Sequence, residues 1–142
     1  MIYSTGYERI TTSELEETMK RYNITLIIDV RSVPYSRRPD KYGFNRNQMA
    51  RKFGNAYRWK GDVLGGKQGP VAQEAIQYLA ALKENNILLC LEENPLACHR
   101  VTDISVRLLN DFNIEVYHLR QGKATPTSEL LKEVLYNEYI TH

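Results

Sequence analysis

A thiol, an imidazole and a guanidinium stand side by side at Cys98-His99-Arg100, after an apolar run that ends in Glu92-Glu93 and turns at Asn94-Pro95. The run at 88–91 reads as a strand, and Cys98 reads as the start of a helix. Unpaired backbone N–H groups and the positive end of the helix dipole favour an anion there, and they lower the pKa of a cysteine so placed. Glu92 adds a carboxylate at the strand end, a residue type used for general acid–base work. The stretch is suited to binding, or acting on, an anionic ligand.

Such residues need elements that bring them together, and the hydrophobic pattern supplies them. Residues 2–4 read as a first strand ending at Thr5-Gly6-Tyr7. A helix follows, with Ser13 and Glu16 at capping-box spacing and Leu15, Met19 and Tyr22 along one stripe. Residues 24–30 form a continuous β-branched run typical of a strand buried on both faces. A short helix is expected near 45–53, a longer one over 71–85, a strand at 87–91, a helix at 98–110 and a last strand at 114–119. Thr125-Pro126 is expected to open a C-terminal helix with Pro in its first turn. Strands alternating with helices predict an α/β chain in three layers, with a Rossmann-like, mainly parallel sheet flanked by helices and a basic insertion after the second strand. The whole of 1–142 is expected to form one domain.

In open parallel sheets, ligands bind outside the carboxyl ends of the strands. That rule gathers Tyr7, Asp29, Arg31, Glu92, Cys98, His99 and Arg100 from separate strand ends into one expected pocket. Asp29, Glu92 and Cys98 are the candidate catalytic groups. Tyr7, Arg31, Arg37, Arg38, His99 and Arg100 are the candidate ligand-binding groups. Replacing Arg31 or Arg100 with Ala is expected to weaken anion binding and leave the fold intact.

Plainer roles compete at several positions. Asp29 serves equally well as a structural acid paired with Arg31, and Cys90, in mid-strand, reads as a small core residue. Glu93 is expected to face solvent, Arg107 to lie on a helix surface and Arg120 to be a solvated loop charge. Gly65-Gly66 suggests close backbone approach. Cys98 should be the more reactive thiol, yet dispensable as a nucleophile.

The net charge of +2 conceals an asymmetry. Residues 31–67 hold ten Lys or Arg against Asp40 and Asp62, so this segment carries +8 and the rest of the chain −6. A concentrated positive field implies an anionic partner. Tyr35, Tyr42, Phe44, Phe53, Tyr57 and Trp59 interleave with these cations, as a base-stacking groove requires, although Phe53, Tyr57 and Trp59 could equally pack the segment onto the sheet. Two cysteines and three histidines at these spacings supply no recognisable metal site, so neither a metal nor a cofactor is expected. No apolar run is long enough to span a bilayer, and no leader segment is apparent, which predicts a cytoplasmic protein without a membrane partner.

The chain resembles the domain-of-unknown-function family 488. The resemblance lies in Ser4-Thr5-Gly6-Tyr7, Ile28-Asp29-Val30-Arg31 with Pro34 and Ser36-Arg37, Leu64-Gly65-Gly66, and Leu89-Cys90-Leu91-Glu92 through Cys98-His99-Arg100. It implies an α/β fold with those residues as a shared site, and it supplies no reaction. Ile28-Asp29-Val30-Arg31 also looks like the opening strand of rhodanese-like domains, but the Cys-x5-Arg loop of such enzymes is absent. The leading expectation is a nucleotide- or nucleic-acid-directed protein that holds a phosphate-bearing ligand at the carboxyl edge, with cleavage or modification as one use of it. A non-enzymatic binder of a small nucleotide-like ligand competes with this, as does a rhodanese- or phosphatase-like Cys enzyme. A homodimer is compatible with the sequence.

Overall fold

A computed structural model describes every residue except Gln68 and His142, and all side chains apart from those two and residues 99–101 and 136–141. Six strands form one sheet: β1 (Ile2–Gly6), β2 (Leu26–Asp29), β3 (Tyr57–Trp59), β4 (Asn86–Cys90), β5 (Val116–Arg120) and β6 (Lys123–Pro126). Their order is β3-β2-β4-β1-β5-β6, with every pairing parallel except the antiparallel β5–β6 hairpin. The helices are α1 (Thr12–Arg21), α2 (Arg46–Phe53), α3 (Gly61–Leu64), α4 (Gln73–Ala81), α5 (His99–Phe112) and α6 (Thr127–Thr141). Among the described residues, no helix is long and apolar enough to cross a membrane.

The buried β-branched and leucine runs of β2 and β4 are covered on both faces. Ile28, Leu88, Ile76 and Ile104 pack on the α4/α5 side, and Ile27, Leu89, Leu15 and Met49 on the α1/α2 side. This is the expected three-layer arrangement. Alternation of side chains along each strand divides the core in this way.

Several local expectations change. The capping box of α1 is Thr11 with Glu14, not Ser13 with Glu16. The S/T-x-x-E spacing occurs at both places, and a start at Thr12 puts Leu15 and Met19 inward. Helix α4 is shorter than 71–85. Asn85 and Asn86 bond backbone carbonyls of Asn23 and Glu84, which holds the chain in a turn before β4. The expected C-terminal helix starts one residue after Pro126, which itself ends the edge strand β6, a position where its missing N–H is tolerated. Gln121 and Gly122, both at positive φ, form the two-residue turn of that hairpin. The basic segment is not a loose insertion. It runs through a 3₁₀ turn at Pro39–Phe44 and α2 and returns as the edge strand β3.

Candidate functional site: two polar clusters at the carboxyl edge

Asp29 ends β2 and is fully buried. Its carboxylate accepts hydrogen bonds from the Arg31 backbone N (3.1 Å), Nε (2.8 Å) and Nη2 (2.7 Å), and from the Tyr57 hydroxyl. Four donors fill about the four lone-pair sites a carboxylate offers, so little acceptor capacity remains for a general base. Arg31 is 3% exposed; its Nη2 also donates to the Phe44 carbonyl at 2.6 Å. The guanidinium lies 5.0 Å over the Tyr7 ring, which stacks on Phe44 at 4.9 Å. Trp59 Nε1 closes the group by donating to the Arg31 carbonyl at 2.9 Å. Burial acts to lower the Arg31 pKa, but the hydrogen bond to Asp29 and its charge outweigh that, and the net direction is up. Burial and then the Asp29 bond and charge push the Tyr57 hydroxyl up, so it stays protonated and donating.

A second cluster surrounds the end of β4. Cys90 is its last residue, Glu92 follows two positions on, and Cys98 caps α5. Both thiols are buried, and the two Sγ atoms and a Glu92 carboxylate oxygen all lie within 4.8 Å of one another. Cys90 Sγ is 3.7 Å from the Thr5 carbonyl and 3.9 Å from the Glu92 carbonyl. Glu92 Oε2 is buried with no hydrogen-bond partner among the described residues.

The expected single pocket is therefore divided. Asp29 lies in register with Leu89, and both face α1 and α2. Cys90 is the next residue, so its side chain points to the opposite face, where Cys98 packs with it. Tyr7, Asp29 and Arg31 belong to the first cluster, and Glu92 and Cys98 to the second. Arg37 and Arg38 lie exposed on the chain after β2, with Arg38 bonded to Asp40 at 2.9 Å. The side chains of His99 and Arg100 lie outside the described residues. Arg31 is part of the core, so its removal is expected to cost stability as well as any anion binding.

Other residues depart from their sequence roles. Glu93 does not face solvent: it pairs with Arg9 (2.9 Å) and with Arg120 (2.7 Å), which is accordingly no solvated loop charge. The Arg120 hydrogen bond, with the Arg9 charge, holds the Glu93 carboxyl below its usual range. This trio borders a cleft of about 330 Å³ between α1, the end of β1 and the β5–β6 turn. Arg107 is half-buried and donates to the Val71 carbonyl and to Gln73. Gly65 does mark a close approach, since a Cβ there would stand 2.1 Å from Ser32 Oγ.

His118, on β5, is fully enclosed. Its Nδ1 meets Ser4 Oγ and its Nε2 meets Thr127 Oγ1 at 3.0 Å, while Thr127 donates to the Val116 carbonyl at 3.2 Å. The Thr127 proton is committed to that carbonyl, so Nε2 carries the ring proton and Nδ1 accepts from Ser4. Desolvation lowers the His118 pKa to about 4, which keeps the ring neutral at pH 7.

Residues 11–72 match the family model described as Domain of unknown function DUF488. The matched stretch contains the Asp29–Arg31 and Leu64–Gly66 motifs and ends before the Cys90–Arg100 motif. No curated protein and no solved structure matches the chain.

Proposed function

We propose that the chain, whose residues 11–72 match the DUF488 family model, binds a phosphate-bearing ligand, and specifically a single-stranded nucleic acid, along the carboxyl edge beside β2 and β3. One observation carries this reading. Of the ten cations in 31–67, only Arg31 and Arg38 form ion pairs with carboxylates among the described residues. Arg37, Arg46, Lys60 and Lys67 follow the ends of β2 and β3 without such a partner, so the positive field is not cancelled inside the fold. Tyr35 and Tyr42 on the same stretch are 57% and 48% exposed. Of the six aromatic residues, these two remain available for stacking. Phe44 and Tyr57 are core, Phe53 is partly buried against it, and Trp59 is covered by Arg46 at 4.3 Å. Exposed rings among unpaired cations suit an extended phosphate backbone better than an enclosed mononucleotide.

Fluorescence anisotropy with a labelled single-stranded oligonucleotide at several salt concentrations tests the reading. Affinity should fall steeply as salt rises, and each of Arg37→Ala, Lys60→Ala and Lys67→Ala should lower the slope of log K against log salt by about 0.7. Tyr42→Ala should cost about 1–3 kcal/mol of binding. Equal affinity for an uncharged-backbone analogue would overturn the proposal. The cleft at Arg9 and Arg120 supports a second reading, capture of a small nucleotide-like ligand, since its volume is at the lower end for ligand pockets. Salt-insensitive binding of a mononucleotide, lost in Arg120→Ala, would favour that reading instead.

A further inference from the structure

Cys90, Glu92 and Cys98, at the end of β4, on the turn after it and at the start of α5, bring two sulfurs and a carboxylate oxygen within 4.8 Å of one another. We propose that this trio is a binding site for one divalent d-block cation of the zinc class, with the fourth position left to water or to a bound ligand. The inference is independent of the nucleic-acid reading and concerns the other face of the sheet.

Donor chemistry selects the ion. Two thiolates favour zinc-class ions over magnesium or calcium, which take oxygen ligands. Zn–S near 2.3 Å and Zn–O near 2.1 Å place tetrahedral donor atoms roughly 3.5–3.8 Å apart. The three donors thus need to contract by about 1 Å at most. Such a shift is within reach of side-chain rotation for Glu92, which lies on the turn after β4.

Glu92 Oε2 supplies the second observation. It is buried and has no hydrogen-bond partner among the described residues, although it sits beside a group that can become an anion. A carboxylate oxygen stripped of water and given no donor is costly, and a cation answers that cost directly. The backbone is also arranged to bring Glu92 in. A Cβ on Gly6 would stand 1.8 Å from the Glu92 carbonyl oxygen, so only glycine at the end of β1 lets the turn pass that closely. Cys98 caps α5, a helix of 14 residues, whose positive end favours thiolate and offsets charge left on the centre. Binding balances simply: each thiol releases one proton to solvent as its sulfur takes the metal, and no oxidant is involved. The absence of a recognisable metal motif in the sequence follows from the ligands. Cys90 and Cys98 are eight positions apart, and the third donor is a carboxylate.

Cobalt(II) is the probe, added to the reduced, metal-free chain. The expected result is one cobalt per chain, with thiolate-to-cobalt charge-transfer absorption and the intense d–d bands of a tetrahedral site. Cys90→Ser and Cys98→Ser should each remove about half of the charge-transfer intensity. Glu92→Gln should keep that band and weaken affinity by about a hundredfold. If the serine variants do not fold, alkylation of the wild-type chain decides. Zinc should slow labelling of both Cys90 and Cys98, identified by peptide mass. Cobalt uptake without charge transfer, unchanged labelling with zinc, or a Cys90–Cys98 disulfide that on reduction takes up no metal would each overturn the site.

Discussion

Asp29 ends one buried strand and Glu92 lies just past the end of its neighbour, and the surroundings of the two carboxylates are opposite. Four donors converge on Asp29, and its partner Arg31 is held by a carbonyl, an aromatic face and the β3 edge. Glu92 keeps one buried oxygen with no partner, beside two sulfurs. Arg31 Nη1 is also buried without a partner among the described residues, so the contrast lies in the two carboxylates: donors fill the one at Asp29 and leave an oxygen of the one at Glu92 unmet. Position at the carboxyl edge therefore does not by itself mark a site. The donors that reach each carboxylate are what separate the two acids.

The comparison is broken most directly at Arg31. Arg31→Ala should cost about 3–5 kcal/mol of stability, because it leaves the Asp29 carboxylate buried and unpaired. Urea denaturation followed by circular dichroism measures this. A loss under about 1 kcal/mol would mean that Asp29 is not held as described.

His118 is a second test of the closed kind. Its folded pKa is depressed to about 4 from the usual 6.5, so the unfolded chain binds the proton more readily. The stability it confers is complete above pH 6.5 and is lost as pH falls from there through 4, by roughly 3 kcal/mol in all. Among the described residues its hydrogen bonds run to Ser4 and Thr127, and Thr127 bonds on to the Val116 carbonyl; none of these titrates in that range. His118→Gln should flatten the acid limb of a stability–pH curve between those values. An unchanged limb would show that other groups set it.

A smaller effect is expected at Tyr57, which contributes one of four donors. Tyr57→Phe keeps the ring in the core and removes only the hydroxyl, at a cost of about 1–2 kcal/mol. Thermal melts of Tyr57→Phe and Arg31→Ala, singly and together, should be non-additive, since both act on Asp29. Additive losses would show that the four donors are not one network.

Much of the architecture was legible in the sequence because it rests on period and composition. The uninterrupted runs in β2 and β4 could only be doubly covered strands, and that fixed the parallel sheet. Less legible were β3, three residues inside a charged segment, and β6, whose Gln121-Gly122 turn is a weak hairpin signal beside Asn-Gly. For the candidate site, the strand-end rule gathered Asp29 and Glu92 at one edge, and Cys90, read as a core residue, ends the strand before Glu92. It could not say which face each side chain would take. A difference of one residue in register, Asp29 opposite Leu89 rather than Cys90, parts them. Charge counting located the cations of 31–67 but could not show which would be spent. Arg31 on Asp29 and Lys41 on the carbonyls of Tyr7 and Ile10 are fixed only by tertiary contacts.

The smallest expected effect is the most telling. In metal-free protein, Glu92→Gln should leave stability within about 1 kcal/mol of the parent, or raise it, because it removes a buried oxygen that no donor satisfies. The isosteric change at Asp29 should behave in the opposite way. Asp29→Asn replaces an acceptor with an NH₂ that faces the Arg31 and Tyr57 donors, and it leaves the Arg31 charge buried without its counterion. The two variants thus differ by one atom type in each site and should differ by several kcal/mol in a single urea series. Adding zinc sharpens the contrast further. A cation bound at 100 times its dissociation constant should stabilise the parent by about 2.7 kcal/mol, and Glu92→Gln by much less. Equal destabilisation by Glu92→Gln and Asp29→Asn in metal-free protein would mean that the two carboxylates play the same structural part, and the distinction drawn between the clusters would fall.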